Sequence, residues 1–178
     1  MKFQVFNSVL SQINNKDIRL FTVECLKDAP DFLETVPASV SGKYHPPEAC
    51  EKGGLCWHVL AACHYATIFF KAFKWETNEI RADIILSALL LHDIGKQESY
   101  SGKFWAYKNH PLTAGKMISR YKDLLPEKAF NLIHSCVIHH MGPWTPPNII
   151  KAINRYNICE LIVYQSDYLS SQKKLKIL

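Results

Sequence analysis

The chain is short of the features that place a protein in a class at first sight. Its 178 residues hold no apolar run near the roughly 18 that a membrane span requires. The opening MKFQVFNSVL does not have the layout of a signal peptide, so a cytoplasmic protein with no membrane partner is expected. Six cysteines (Cys25, Cys50, Cys56, Cys63, Cys136 and Cys159) never fall in a C-x-x-C spacing, which argues against zinc-finger ligation. A domain of this size does not depend on a disulfide framework, so buried reduced thiols are expected. Internal repeats and low-complexity segments are absent, and strand-like alternation is scarce. Charge of one sign is also scarce: lysine plus arginine exceed aspartate plus glutamate by only 21 − 16 = 5. That excess is compatible with anionic substrates without demonstrating them, and part of it sits in the closing QKKLKIL.

What remains is helical periodicity. Phe3, Phe6, Val9, Leu10 and Ile13 fall on one helical face, and IRLFTVECLKDA continues in the same style. An irregular connection, PDFLETVPASVSGKYHPPEACEKGG, precedes a long helical pattern from Leu55 to about Lys74. Asn78 is suited to cap the next helix, which carries Ile80, Ile84, Ile85, Ala88, Leu89 and Leu91. His110 precedes a proline and is expected at a helix mouth, with Pro111 in the first turn. Pro126 is expected to open a helix to about His139, and Pro147 a last helix through Asp167. The expected fold is an all-α compact bundle. Residues 1–40 would form an N-terminal helical extension, 41–172 the main domain and 173–178 a basic tail.

The stretch ALLLHDIGK, Ala88 to Lys96, ends an apolar helix with an imidazole beside a carboxylate. Burying Asp93 ionised would be costly unless a cation or a partner offset it. Eight histidines are many for this length. His64 and His134 read as ordinary surface or hydrogen-bonded histidines. His58, His92, His110, His139 and His140 instead recur, with Asp93 and Asp167, at helix ends or in apolar surroundings. Imidazole and carboxylate together suit Mn²⁺, Fe²⁺, Co²⁺ or Zn²⁺, and a carboxylate can bridge two such ions. Gly95 is expected to take the left-handed conformation that often ends a helix, aiming Lys96 back at the cluster. His45 lies in the GKYHPP loop, where Lys43 and Tyr44 could line a cleft. Phe104, Trp105, Tyr107 and Trp144 flank these motifs, and a base could stack on Trp105 or Trp144.

With those residues in view, the chain resembles the HD-domain superfamily of metal-dependent phosphohydrolases. GGLCWHVL supplies His58, LLLHDIGK supplies His92 and Asp93, and LIVYQSDYLSS supplies Asp167. The resemblance spans about Lys43 to Ser171 and implies an HD-domain helical bundle. It implies that His58, His92, Asp93 and Asp167 hold a first metal, with Asp93 bridging to a second. His110 and His140 would hold that second ion, with His139 possible as well, since some branches use both adjacent histidines and others only the one before Met-Gly. The implied cofactor is one or two divalent ions among Mn, Fe, Co, Ni and Zn, with Mg also admitted. Asp93 and Lys96 would be catalytic, Lys96 through the phosphate oxygens, and Lys43, His45, Lys96 and Trp144 would meet the substrate. The implied reaction is hydrolysis of a phosphomonoester or phosphodiester of a nucleotide or short oligonucleotide, with single-stranded nucleic acid as a further partner.

The segments SGKYHPPEACEKGGLCWH and HHMGPW are closer to small exoribonuclease-like and mobile-element members. The nucleic-acid-binding barrel that accompanies the former has no counterpart in the first fifty residues. MGPWTPP in place of a Gly-Tyr-Pro motif, and Gly54 where trinuclear members carry glutamate, disfavour a cyclic-di-nucleotide phosphodiesterase. Two alternatives share the ligand pattern: a di-iron oxygenase of the same fold, and a non-catalytic nucleotide-binding module.

Overall fold

Helix α4, Ile80–Leu91, is apolar on nearly every side, and the other helices are arranged around it. A helix hydrophobic all round has no face to give to water and goes to the centre; every residue from Asp83 to Leu91 is buried. The computed structural model describes residues 3–39, 42–75, 80–96 and 104–175, excluding the side chains of 104–107. Among the described residues the secondary structure is helical throughout, with no strand. The protein is an all-α bundle. None of these helices is long and apolar enough to cross a membrane.

The N-terminal segment joins the same core. After a short helix α1 (Asn7–Leu10), α2 (Lys16–Asp28) is started by Asn15, whose side chain accepts from the Asp17 and Ile18 amides. The buried carboxylate of Asp83 accepts from the Asn14 and Asn15 amides at 2.9 and 2.8 Å, clamping the start of α2 to α4. Thr22 and Ser87 share a 2.7 Å hydroxyl bond across the α2–α4 contact. Phe3, Phe6, Ile13, Ile18 and Phe21 are buried in one cluster with α4.

Helix α3 (Gly54–Ala72) packs along α7 (Ile158–Ser170), while α5 (Phe104–Ile118) packs on α6 (Glu127–His139). Helix α4 touches α2, α3, α6 and α7. This brings the start of α3, the end of α4, the middle of α5, the end of α6 and the last turns of α7 together.

Three local expectations are corrected. Pro111 lies inside α5 rather than at its start, so His110 projects from mid-helix. A residue before proline only disfavours the helical conformation, and here close packing outweighs it. A Cβ at Gly95 would lie 2.4 Å from the His110 carbonyl oxygen and 2.6 Å from the Ala114 nitrogen. The turn after Asp93 therefore lies directly on the backbone of α5. The second correction is Gly95 itself, which is not among the left-handed glycines; contact, not backbone angle, demands it. Third, the last helix begins at Ile158, not at Pro147. Asn157 accepts from the Cys159 and Glu160 amides while Glu160 reaches back to the Asn157 amide, a reciprocal capping box. The signal, N-I-C-E, was present in the sequence. The expected cap at Asn78 lies outside the described residues.

Candidate metal centre

Two histidines end their helices in the same way. His92 follows the last residue of α4 and His140 the last residue of α6. Each returns its Nδ1 to a carbonyl three positions back, Leu89 at 2.6 Å and Val137 at 2.7 Å. The carbonyls of a last helical turn have no partner within the helix, and the imidazoles fill that need. A carbonyl only accepts, so Nδ1 carries the proton and Nε2 keeps its lone pair. His58 reaches the same state through a hydroxyl. Ser170 donates to the Asp167 carbonyl at 2.7 Å and is left to accept from His58 Nδ1 at 3.0 Å. Metal-ligating histidines are held in this manner, with the second nitrogen engaged by a carbonyl, carboxylate or hydroxyl.

The Nε2 atoms converge on two carboxylates. His58 Nε2 lies 2.9 Å from Asp167 Oδ1 and 3.5 Å from Asp93 Oδ2. His92 Nε2 lies 3.2 Å from Asp93 Oδ2 and 3.5 Å from Asp167 Oδ1. The other Asp93 oxygen, Oδ1, faces His110 Nε2 at 3.2 Å and His140 Nε2 at 3.8 Å. Asp93 thus divides its oxygens between two sets of nitrogens. Two groups of ligand atoms lie mutually within 4.8 Å: His58, His92 and Asp167, and His92, Asp93 and His140.

Electrostatics say what the cluster wants. His58 Nε2, His92 Nε2 and Asp93 Oδ1 are buried without a hydrogen bond. Lone pairs facing carboxylate oxygens repel unless a positive charge lies between them. Burial alone would raise the Asp93 and Asp167 carboxyls. For Asp93, His92 and Lys96 outweigh burial; for Asp167, His58 and His92 do so, and both carboxyls fall well below the ordinary range. Burial would lower His92, yet the nearby Asp93 and Asp167 carboxylates push it up to about 10. His140 is driven down to about 3 by burial and by His92 and His110, and burial chiefly lowers His58. Two ionised carboxylates and several neutral imidazoles are a donor set for a borderline divalent cation, and the residues present fit such an ion.

The other residues singled out in the sequence are placed as follows. Lys96 is buried, with Nζ 2.6 Å from Asp93 Oδ2 and 3.4 Å from the Ala38 carbonyl. The His45 ring lies 5.3 Å from that of His58, and its Nδ1 is buried without a hydrogen bond. Lys43 is exposed beside the Tyr44 ring. Trp144 is exposed and stacks on Tyr168. The side chains of Phe104, Trp105 and Tyr107 lie outside the described residues.

His139 is corrected: it does not face the cluster. Its Nδ1 lies 2.9 Å from the Ser135 carbonyl and 3.3 Å from Glu160 Oε1, and its Nε2 3.1 Å from the Ile149 carbonyl. Adjacent helical residues point about 100° apart, and here His140 turns inward while His139 turns to Ser135, Glu160 and Ile149. Ser170 was not foreseen. Its position three after Asp167, on the same helical face, is a signal that only acquires meaning once His58 is seen opposite.

The family model for the HD domain matches residues 57–172, and the chain therefore belongs to the HD-domain family. Neither the comparison with curated proteins nor that with solved structures returns a match.

Proposed function

We propose that this HD-domain protein hydrolyses a phosphomonoester or phosphodiester of a nucleotide or short oligonucleotide. The family is generally one of metal-dependent phosphohydrolases. The observation that carries the proposal is the arrangement of Asp93, whose two oxygens face separate groups of histidine nitrogens. His58, His92, Asp93 and Asp167 would hold one divalent ion, and Asp93, His110 and His140 a second. When bound, such ions act as Lewis acids, polarising a phosphoryl oxygen and acidifying a water.

The chain's own residues supply the rest. Leu89, Val137 and Ser170 fix the tautomers of His92, His140 and His58. Lys96 brings a buried positive charge to Asp93, where it supports the ionised carboxylate and offsets charge growing on phosphoryl oxygens. Asp167, with a side chain 19% exposed against 1% for Asp93, marks the side on which a substrate can enter. His45, whose ring lies 5.3 Å from that of His58, and Lys43 two positions before it would meet the substrate there. Mn²⁺, Fe²⁺, Co²⁺, Ni²⁺, Zn²⁺ and Mg²⁺ are the ions to try.

Metal analysis of the purified protein, then a panel of nucleoside phosphates, dinucleotides and short oligonucleotides with each ion, tests the proposal. Hydrolysis that Asp93→Ala abolishes is expected. Stoichiometric metal with no phosphate ester turned over, or dioxygen uptake by the iron form, would overturn it.

A further inference from the structure

Trp144 leaves more than half of its surface, 57%, in water, yet its backbone is firmly fixed. The turn that carries it closes with Trp144 N to the Met141 carbonyl at 3.2 Å and Thr145 N to the Gly142 carbonyl at 3.1 Å. Gly142 is buried with φ +57, and a Cβ there would come within 2.3 Å of the Tyr164 ring. Just before this turn, the His139 carbonyl accepts a bond from the Tyr156 hydroxyl at 3.0 Å, tying the segment ahead of α7 to the end of α6. A large apolar ring is thus held out of the core by a specific turn.

Its surroundings indicate what it meets. The indole is nearly parallel to the Tyr168 ring, at 7° with centroids 6.0 Å apart, within the range of aromatic pairs. Tyr168 is 38% exposed and follows Asp167 directly, so their Cα atoms are about 3.8 Å apart. Trp144 in turn follows His140 by four positions. Tyr168 is thus the chain neighbour of the one cluster carboxylate with appreciable exposure, and Trp144 lies against its ring.

We infer that Trp144 and Tyr168 form a stacking platform for the base of a nucleoside phosphate whose phosphate enters beside Asp167. The inference rests on the phosphohydrolase reading and names the surface that holds the base of its nucleotide substrate. Stacking reads a π-face and not a hydrogen-bonding edge, so purines and pyrimidines should both be accepted. Sugar phosphates without a base should be poor ligands.

The probes are adenosine 5′-monophosphate and ribose 5-phosphate, mixed rapidly with the metal-loaded protein so that binding is read before turnover. Tryptophan fluorescence should be quenched by the nucleotide and not by the sugar phosphate. Trp144→Ala should remove that quenching and weaken nucleotide binding by about tenfold or more, the cost of one base–aromatic stack. Tyr168→Phe should retain binding, and Tyr168→Ala should weaken it. Quenching that persists in Trp144→Ala, or equal responses to both probes, would overturn the platform. The two readings fail separately. Trp144-dependent quenching by a protein that hydrolyses no ester with any ion removes the hydrolase and leaves the platform. An active enzyme whose ratio of kcat/KM for the two probes is unmoved by Trp144→Ala removes the platform and leaves the hydrolase.

Discussion

The Nε2 atoms of His110 and His140, thirty positions apart in sequence, lie 2.9 Å apart and share one oxygen of Asp93. His140 keeps its lone pair on Nε2, because Nδ1 is bonded to Val137. His110 sits mid-helix on α5, at the point where Gly95 lets the backbone come close. The pair makes sense as one half of a two-ion centre, with His139 outside it.

Titration of the apo-protein with Mn²⁺, followed by calorimetry and electron paramagnetic resonance, should show two sites. His110→Ala and His140→Ala should each remove one of them. His139→Ala should keep both, because its nitrogens are directed at Ser135, Glu160 and Ile149. A single site in the wild type would end the two-ion reading.

Lys96 separates charge support from ligation. An ammonium is a point charge that cannot coordinate a metal, and it lies 2.6 Å from Asp93 Oδ2. Lys96→Met should retain metal yet lower kcat on the best phosphate substrate by about 10²–10³, the usual cost of one transition-state donor. Wild-type turnover in the variant would reduce Lys96 to a structural partner of Asp93.

Ser170 fixes His58 without touching a reacting atom. Ser170→Ala takes away the acceptor of His58 Nδ1 and frees the ring to flip or change tautomer. Metal affinity should fall by about 10–100-fold, as when outer partners of other metal sites are removed. Ser170→Thr, which keeps the hydroxyl, should recover most of it. Equal affinities across the three proteins would show that His58 is oriented by packing alone.

Glu160 carries a pH dependence of stability. Its buried carboxylate accepts from Ser135, from both contacts of Lys151 and from the Asn157 amide, and it lies beside His139. Burial would raise it, but bonds from His139, Lys151 and Ser135 outweigh burial and hold it at about 2, against an ordinary 4.5. The folded-state value is depressed, so the stabilisation is complete above about 4.5 and is lost as pH falls towards 2. Glu160→Ala should cost near the lower end of about 3–5 kcal/mol at neutral pH, since the Lys151 side chain is 30% exposed and partly screened. Urea unfolding across that pH range should show wild type and variant converging in acid. Parallel curves would mean that Glu160 is not held ionised.

The sequence by itself determined the helical class and most of the ligand set. A helix as apolar as Ile80–Leu91 must be central, and a His-Asp pair at its end must answer to a charge, because burying Asp93 alone is too costly. The spacing of His58, His92, Asp93 and Asp167 carried the family resemblance, and the HD-domain match over 57–172 agrees with it. Tertiary structure decided what composition and spacing leave open. His139 and His140 are neighbours in the chain, and only the carbonyls around them determine which one turns inward. Gly95 looked like a left-handed helix stop, but its need comes from the α5 backbone pressed against it, a contact no local pattern records. Pro111 was a helix start by local preference and became an interior residue under the same packing. Ser170 and Tyr168 carry no motif of their own. Their roles arise because α7 sets one against His58 and the other beneath Trp144, and such pairings exist only after the bundle has closed.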